Sequence, residues 1–297
     1  MKIYIFILIS TLTIITAETF NTPWGMCNIY NEYSSIENTQ LIKIINHKIN
    51  KLDKLYGPIP VKKFDFYIYN KNNQYDLKIN NQHWKWSLGI TYKNDKIIIK
   101  DPQFSHIKFS KFKQVVEHEL NHLMINRIDN NHDIPRWFKE GFAMLIANES
   151  SLSHKIKVIK HLNTETLYNL DDITTFRNFT QYEYSLAYAQ SVLYAEAIQN
   201  LYGKDIFINI IENLKNNVNF NDAIYILTNK NIKELEISIQ DFLKKKYRWI
   251  QLINFSDFLF SIMPLLLVLG FIIKSIKVKK IKKQWEIEEE LEDLMSS

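Results

Sequence analysis

His118-Glu119-Leu120-Asn121-His122 is followed, after a polar loop, by Pro135-Arg136-Trp137-Phe138-Lys139-Glu140-Gly141-Phe142-Ala143. On a helix, residues i and i+4 share a face, so both imidazoles of the first segment can grip one ion with Glu119 beside them. Zinc takes neutral imidazole nitrogen or carboxylate oxygen at about 2.0–2.2 Å and, in catalytic sites, keeps one position open. It lowers the pKa of a water from about 15.7 to about 7, which brings that water within reach of a carboxylate base. The plainer alternative is a histidine pair on a solvated helix face.

A third ligand has to come from elsewhere in the chain. A continuation with Gly at 125 and His at 128 would mark a metzincin, but Ile125 and Ile128 stand there. Pro135 favours the start of a second helix. A short loop between two helices makes them antiparallel neighbours, so Glu140 can face the His118/His122 side. Gly141 would then let the two helices approach closely. The competing reading leaves Glu140 as a surface residue in a first helical turn.

HELNH followed by PRWFKEGFA is similar to the gluzincin peptidases, in particular the peptidase MA-like domains and, more distantly, the M1 aminopeptidases. The strong motifs cover residues 118–143, and a weaker likeness runs from about Val61 to Tyr247. The resemblance implies one zinc ion per chain, with His118, His122 and Glu140 as ligands and Glu119 as general base. It also implies a tyrosine or histidine that stabilises the tetrahedral oxyanion: Tyr188 first, Tyr184 second. An edge strand that holds the substrate is implied too, with Ser87 to Thr91 as the candidate. The chain departs from the pattern in having Met144 where some gluzincins carry an Asp that steadies a ligand. The GxMEN segment of the M1 enzymes is also missing, so an endopeptidase is expected rather than an exopeptidase.

The surrounding pattern gives an α+β layout: a small mixed sheet packed on the HELNH helix, then a helical C-terminal part. Leu41, Ile44, Ile45, Ile49 and Leu52 fall at helical spacing up to Gly57-Pro58. Phe64, Phe66 and Ile68 alternate as a strand, and Lys96 to Lys100 pairs with Ser87 to Thr91 as a hairpin. Helices follow at Phe112–Arg127, Tyr184–Tyr202, Ile206–Leu214, Asp222–Leu227 and Ile232–Tyr247. His47, His83, His106, His132, His154 and His161 lack ligand-like partners and read as surface or capping residues. Asp129 and Asp133 fit no calcium loop. Trp84 and Trp86 read as core or rim aromatics.

The ends suggest a compartment. Lys2, an apolar run from Ile3 to Ile15 and Thr16-Ala17-Glu18 read as a signal peptide, residues 1–17, cut after Ala17. Residues 252–273 read as a transmembrane helix, and Pro264 is tolerable there. Lys274, Lys277, Lys279, Lys280, Lys282 and Lys283 follow and place residues 274–297 in the cytoplasm. Residues 18–251 would then lie outside it as the peptidase domain. The acidic end, from Gln284 to Met295, reads as a solvated tail.

Composition narrows the classes further. Six Gly and six Pro among 297 residues favour long helices over turn-rich β architecture. Cys27 is the only cysteine, which excludes an internal disulfide and a thiolate cage. Net charge is +5, and no basic stripe is interleaved with aromatics, so nucleic acid is not an expected partner. Expected partners are a peptide or protein substrate and the membrane. The rival functions are a non-catalytic envelope module that binds peptide on the same fold, and a hydrolase of non-peptide bonds.

Overall fold

The computed structural model describes residues 17–31, 34–70, 87–92, 95–129, 134–176, 179–248 and 255–296, without the side chains of 255–259, 261 and 289–296. Among these, strands β1 (Glu18–Thr22), β2 (Gly25–Asn31), β3 (Phe64–Tyr69), β4 (Gly89–Tyr92) and β5 (Lys96–Lys100) form one sheet in the order β1-β2-β3-β5-β4. β2, β3 and β5 run parallel, while β1 and β4 are antiparallel edges. α1 (Asn38–Tyr56) makes the crossover from β2 to β3.

Alternation along each strand divides the sheet into two faces. Cys27, Ile29, Phe64, Phe66, Ile68, Ile97 and Ile99 share one face and are fully or almost fully buried. By register, Gly89 and Thr91 of β4 lie on this same side. The other face carries a stacked row of Tyr30, Tyr67 and Tyr69, with ring centroids 4.4 and 5.9 Å apart.

The buried face packs on α2 (Phe109–Ile128), the helix that carries HELNH. Its Phe112, Val116, Leu120, Leu123 and Met124 are inaccessible. α1 buries the stripe Leu41, Ile45, Ile49, Leu52 and Tyr56. Two of its lysines, Lys48 and Lys51, each reach the buried Glu117 of α2 at 2.5 Å. The helical part is α3 (Arg136–Ile146), α4 (Leu152–Asn163), α5 (Gln181–Tyr202), α6 (Ile206–Lys215), α7 (Phe220–Thr228) and α8 (Ile232–Lys246). A capping box between Thr180 and Glu183 starts α5.

Several expectations need correction. β1, β2 and α4 are elements the sequence pattern did not yield. Pro135 sits at the N-cap of α3, one place before the first turn. Gly141 serves a different pair of helices from the expected one: a Cβ there would lie 2.2 Å from the Ser191 carbonyl oxygen, so it lets α3 approach α5 rather than α2. Asp129 is committed to Lys139 at 2.5 Å. Asp133, His83, His132, Trp84 and Trp86 lie outside the described residues, as does all of the expected signal peptide except Ala17.

A second compact unit begins at Lys246. It contains α9 (Phe255–Ser296), one helix with Pro264 inside it, so the acidic end is helical. Phe260, Met263, Leu265 to Leu269 and Phe271 to Ile273 are exposed on it. Among the described residues no helix is long and apolar enough to cross a membrane. The expected span at 252–273 therefore finds no support there, and its residues 252–254 and the side chains of 255–259 and 261 are not described.

Candidate metal centre

α2 and α3 pack against one another, and side chains of both meet at one point. His118 Nε2 and His122 Nε2 are 3.0 Å apart. Glu140 Oε2 lies 3.2 Å from His122 Nε2 and 3.5 Å from His118 Nε2. Tetrahedral zinc with bonds of about 2.0–2.1 Å separates its ligand atoms by about 3.3 Å, so the triangle is of the size such an ion needs. Two imidazoles and a carboxylate are also a donor set used by catalytic zinc. Among the described residues this is the one group of three or more His, Cys, Asp or Glu whose ligand atoms converge within 4.8 Å.

The electrostatics call for positive charge at that point. Burial would lower the His118 pKa, yet the carboxylates of Glu149 and Glu140 push it well above its ordinary value. Burial would raise Glu140, but the His122 and His118 imidazoles and the Arg136 guanidinium hold it well below the usual carboxylate range. A divalent cation at the centre would take the place of the positive charge that the carboxylates favour on His118. The residues present therefore fit the metal.

His118 and Glu140 are each steadied by a neighbour, as metal-binding residues commonly are. Glu149 Oε2 faces His118 Nδ1 at 3.0 Å, and its Oε1 accepts from Lys111 Nζ at 2.8 Å. Burial would raise the Glu149 carboxyl, but His118 and Lys111 bring it down to about 2. Arg136 donates through Nε to Glu140 Oε1 at 3.1 Å, which leaves Oε2 turned toward the histidines. Arg136 itself lies over Phe176, 4.9 Å from the ring centroid. The carbonyls of Thr174 and Ile173 accept from the N–H groups of Arg136 and Trp137 and fix the start of α3. Sequence reasoning missed Glu149 and Arg136. An acidic residue in the loop leaving α3 and a cation one turn before Glu140 were the available signals.

Glu119 is 4% exposed and faces β4. Thr91 Oγ1 lies 2.8 Å from Glu119 Oε2. Burial raises the Glu119 pKa, and the two imidazoles and Thr91 offset part of that rise. Tyr188 donates to Glu140 Oε1 at 3.3 Å and lies 3.4 Å from Arg136. Burial and Glu140 push its phenol up, so it stays a donor. Tyr184 is buried beside it, with ring centroids 6.2 Å apart, and does not line the cleft. The cleft, of about 590 Å³, is lined by β4, by His118, His122 and Glu140, and by Met144, Phe176 and Tyr188.

Comparison with curated protein sequences finds no match. Solved structures to which the chain is similar include an M1 zinc metallopeptidase from Deinococcus radiodurans carrying a glutamate-to-alanine substitution. That match has TM-score 0.42 and 11% identity, and covers 74% of this chain and 48% of that one. The same mutant bound to a Tyr-Ser-Ala substrate matches with TM-score 0.44 and 11% identity, covering 77% and 51%. The chain thus spans about half the length of those structures. The model of one family, described as the Peptidase MA superfamily, matches residues 44–245. That segment holds the sheet from β3 onward, both helices of the His/Glu cluster and the helical part through most of α8, and the chain belongs to the Peptidase MA superfamily.

Proposed function

We propose that this protein is a zinc-dependent peptidase that cleaves within peptide chains. The observation that carries the reading is the convergence of His118, His122 and Glu140, whose side-chain N and O atoms lie 3.0 to 3.5 Å from one another in the lining of a cleft. Zinc held by these three would supply a Lewis acid for the substrate carbonyl and the attacking water. Glu119 takes a proton from the attacking water and returns it to the leaving amine. Its raised pKa suits that double duty. Tyr188, whose hydroxyl donates to Glu140 Oε1 in the absence of substrate, would turn that hydrogen bond to the oxyanion of the tetrahedral intermediate. β4 is an edge strand at the cleft, so an extended peptide can add to it as a further strand. No terminus-binding segment of the M1 kind is present in the sequence, which supports internal cleavage.

Glu119→Gln tests the reading. The variant keeps its metal and loses turnover of a quenched-fluorescent peptide; undiminished turnover would remove Glu119 as the base.

Placement at a membrane, with the catalytic part outside the cytoplasm, is part of the same proposal. It is supported by the apolar run Ile3–Ile15 behind Lys2, and by the apolar run ending at Ile273 before its six lysines. Protease treatment of intact cells should degrade residues 18–251 and spare an epitope at the C-terminus.

A further inference from the structure

The strand that walls the cleft also grips the buried carboxylate beneath it. Gly89 and Thr91 are two residues apart on β4, so both point to the α2 side, while Ile90 between them points away. Thr91 Oγ1 lies 2.8 Å from Glu119 Oε2 and 2.8 Å from the Glu119 backbone oxygen. Its single proton serves one of them at a time. A Cβ on Gly89 would sit 2.7 Å from Glu119 Oε1, 2.9 Å from Glu119 Cγ and 2.9 Å from Val115 Cγ1. The glycine therefore leaves room for one carboxylate oxygen, and the threonine hydroxyl holds the other.

We infer that Thr91 is a positioning residue for the general base: its hydroxyl, with the space left by Gly89, fixes the rotamer of Glu119 against the metal site. This rests on the peptidase reading above. A carboxylate at 4% exposure on a helix can swing about its side-chain torsions only if its neighbours allow it. On this wall the allowance is set by Gly89 and Thr91 together. The strand proposed to receive substrate is thus also the strand that orients the base.

The test uses the full-length, zinc-loaded chain. Thr91→Val removes the hydroxyl at nearly constant shape, and Thr91→Ser keeps it. A hydrogen bond to a charged group is worth about 10- to 100-fold in rate if it is needed to orient the reacting group. Thr91→Val should therefore lower kcat on a quenched-fluorescent peptide by about that factor, with KM and zinc content unchanged, and Thr91→Ser should restore it. A Thr91→Val enzyme with wild-type kcat, or with a raised KM alone, would overturn the inference. A second readout does not depend on turnover. In urea unfolding of the full-length chain, Thr91→Val, Glu119→Ala and the double variant should shift the midpoint non-additively, whereas strict additivity would overturn the contact. If the wild type cleaves no peptide, the peptidase reading fails while this cycle still decides the contact.

Discussion

Glu149 Oε2 stands 3.0 Å from His118 Nδ1, and Lys111 holds the other oxygen of the same carboxylate at 2.8 Å. The carboxylate reaches the histidine from the loop after α3, where Asn148 takes a left-handed φ of 53° and Gln114 donates to its carbonyl. It orients the imidazole so that Nε2 faces His122 Nε2 and Glu140 Oε2, where an ion would be held.

Removing that carboxylate should loosen the metal without unfolding the chain. Glu149→Ala is expected to weaken zinc affinity by about 10- to 100-fold, the usual cost of losing such a partner. Competition against a chromogenic chelator reads this directly, and unchanged affinity would show that His118 needs no support.

Gly141 marks a contact of backbone with backbone. A Cβ there meets Ser191 O at 2.2 Å and Ser191 C at 2.7 Å, neither of which belongs to a flexible side chain. Gly141→Ala should therefore force α3 away from α5 and destabilise the fold by about 1–3 kcal/mol or more. The shift in denaturant midpoint measures it, and a wild-type midpoint would mean the two helices separate freely.

Asn121, in the middle of HELNH, is inaccessible, and among the described residues neither its Oδ1 nor its Nδ2 has a hydrogen-bond partner. A buried polar group left unsatisfied costs about 1–3 kcal/mol. Asn121→Leu keeps the branching at Cγ, carries no polar atom and should raise the melting temperature. A lower one would show that the amide is satisfied in solution, by water for instance.

Asp101 ends β5 and gathers Ser34, Ser35, Gln103 and Phe104 around its carboxylate. Burial would raise its pKa, but the hydrogen bonds from Ser34, Phe104 and Ser35 lower it below the usual 3.8. A carboxyl lowered in the folded state adds stability above its unfolded pKa, and that stability disappears as pH falls through the folded value. Asp101→Asn should thus be less stable than wild type at neutral pH. The gap should close only below about pH 3.8, the unfolded value. A gap that persists unchanged at lower pH would assign the loss to shape and not to charge.

The sequence made the convergence of His118, His122 and Glu140 legible because its spacing is local. His118 and His122 are one turn apart, and Glu140 lies on the next helix. The alternating Phe64, Phe66 and Ile68 likewise announce β3. Other features depend on tertiary placement and leave little trace. β1 and β2 carry no clean alternation, being interrupted by Pro23-Trp24-Gly25, where Gly25 adopts a φ of 116°. Glu149 reaches His118 across 31 residues through a left-handed turn that no pattern in MLIANES specifies. Gly141 announces a close approach but not its partner. Either neighbouring helix satisfies the sequence, and packing chose α5.

The claim that three side chains hold one zinc is tested most directly by anomalous diffraction at the zinc edge from crystals of the zinc-loaded chain. The account predicts a single peak bounded by His118 Nε2, His122 Nε2 and Glu140 Oε2, each at about 2.0–2.2 Å. A map with no peak there, or with zinc held by other residues, would contradict it.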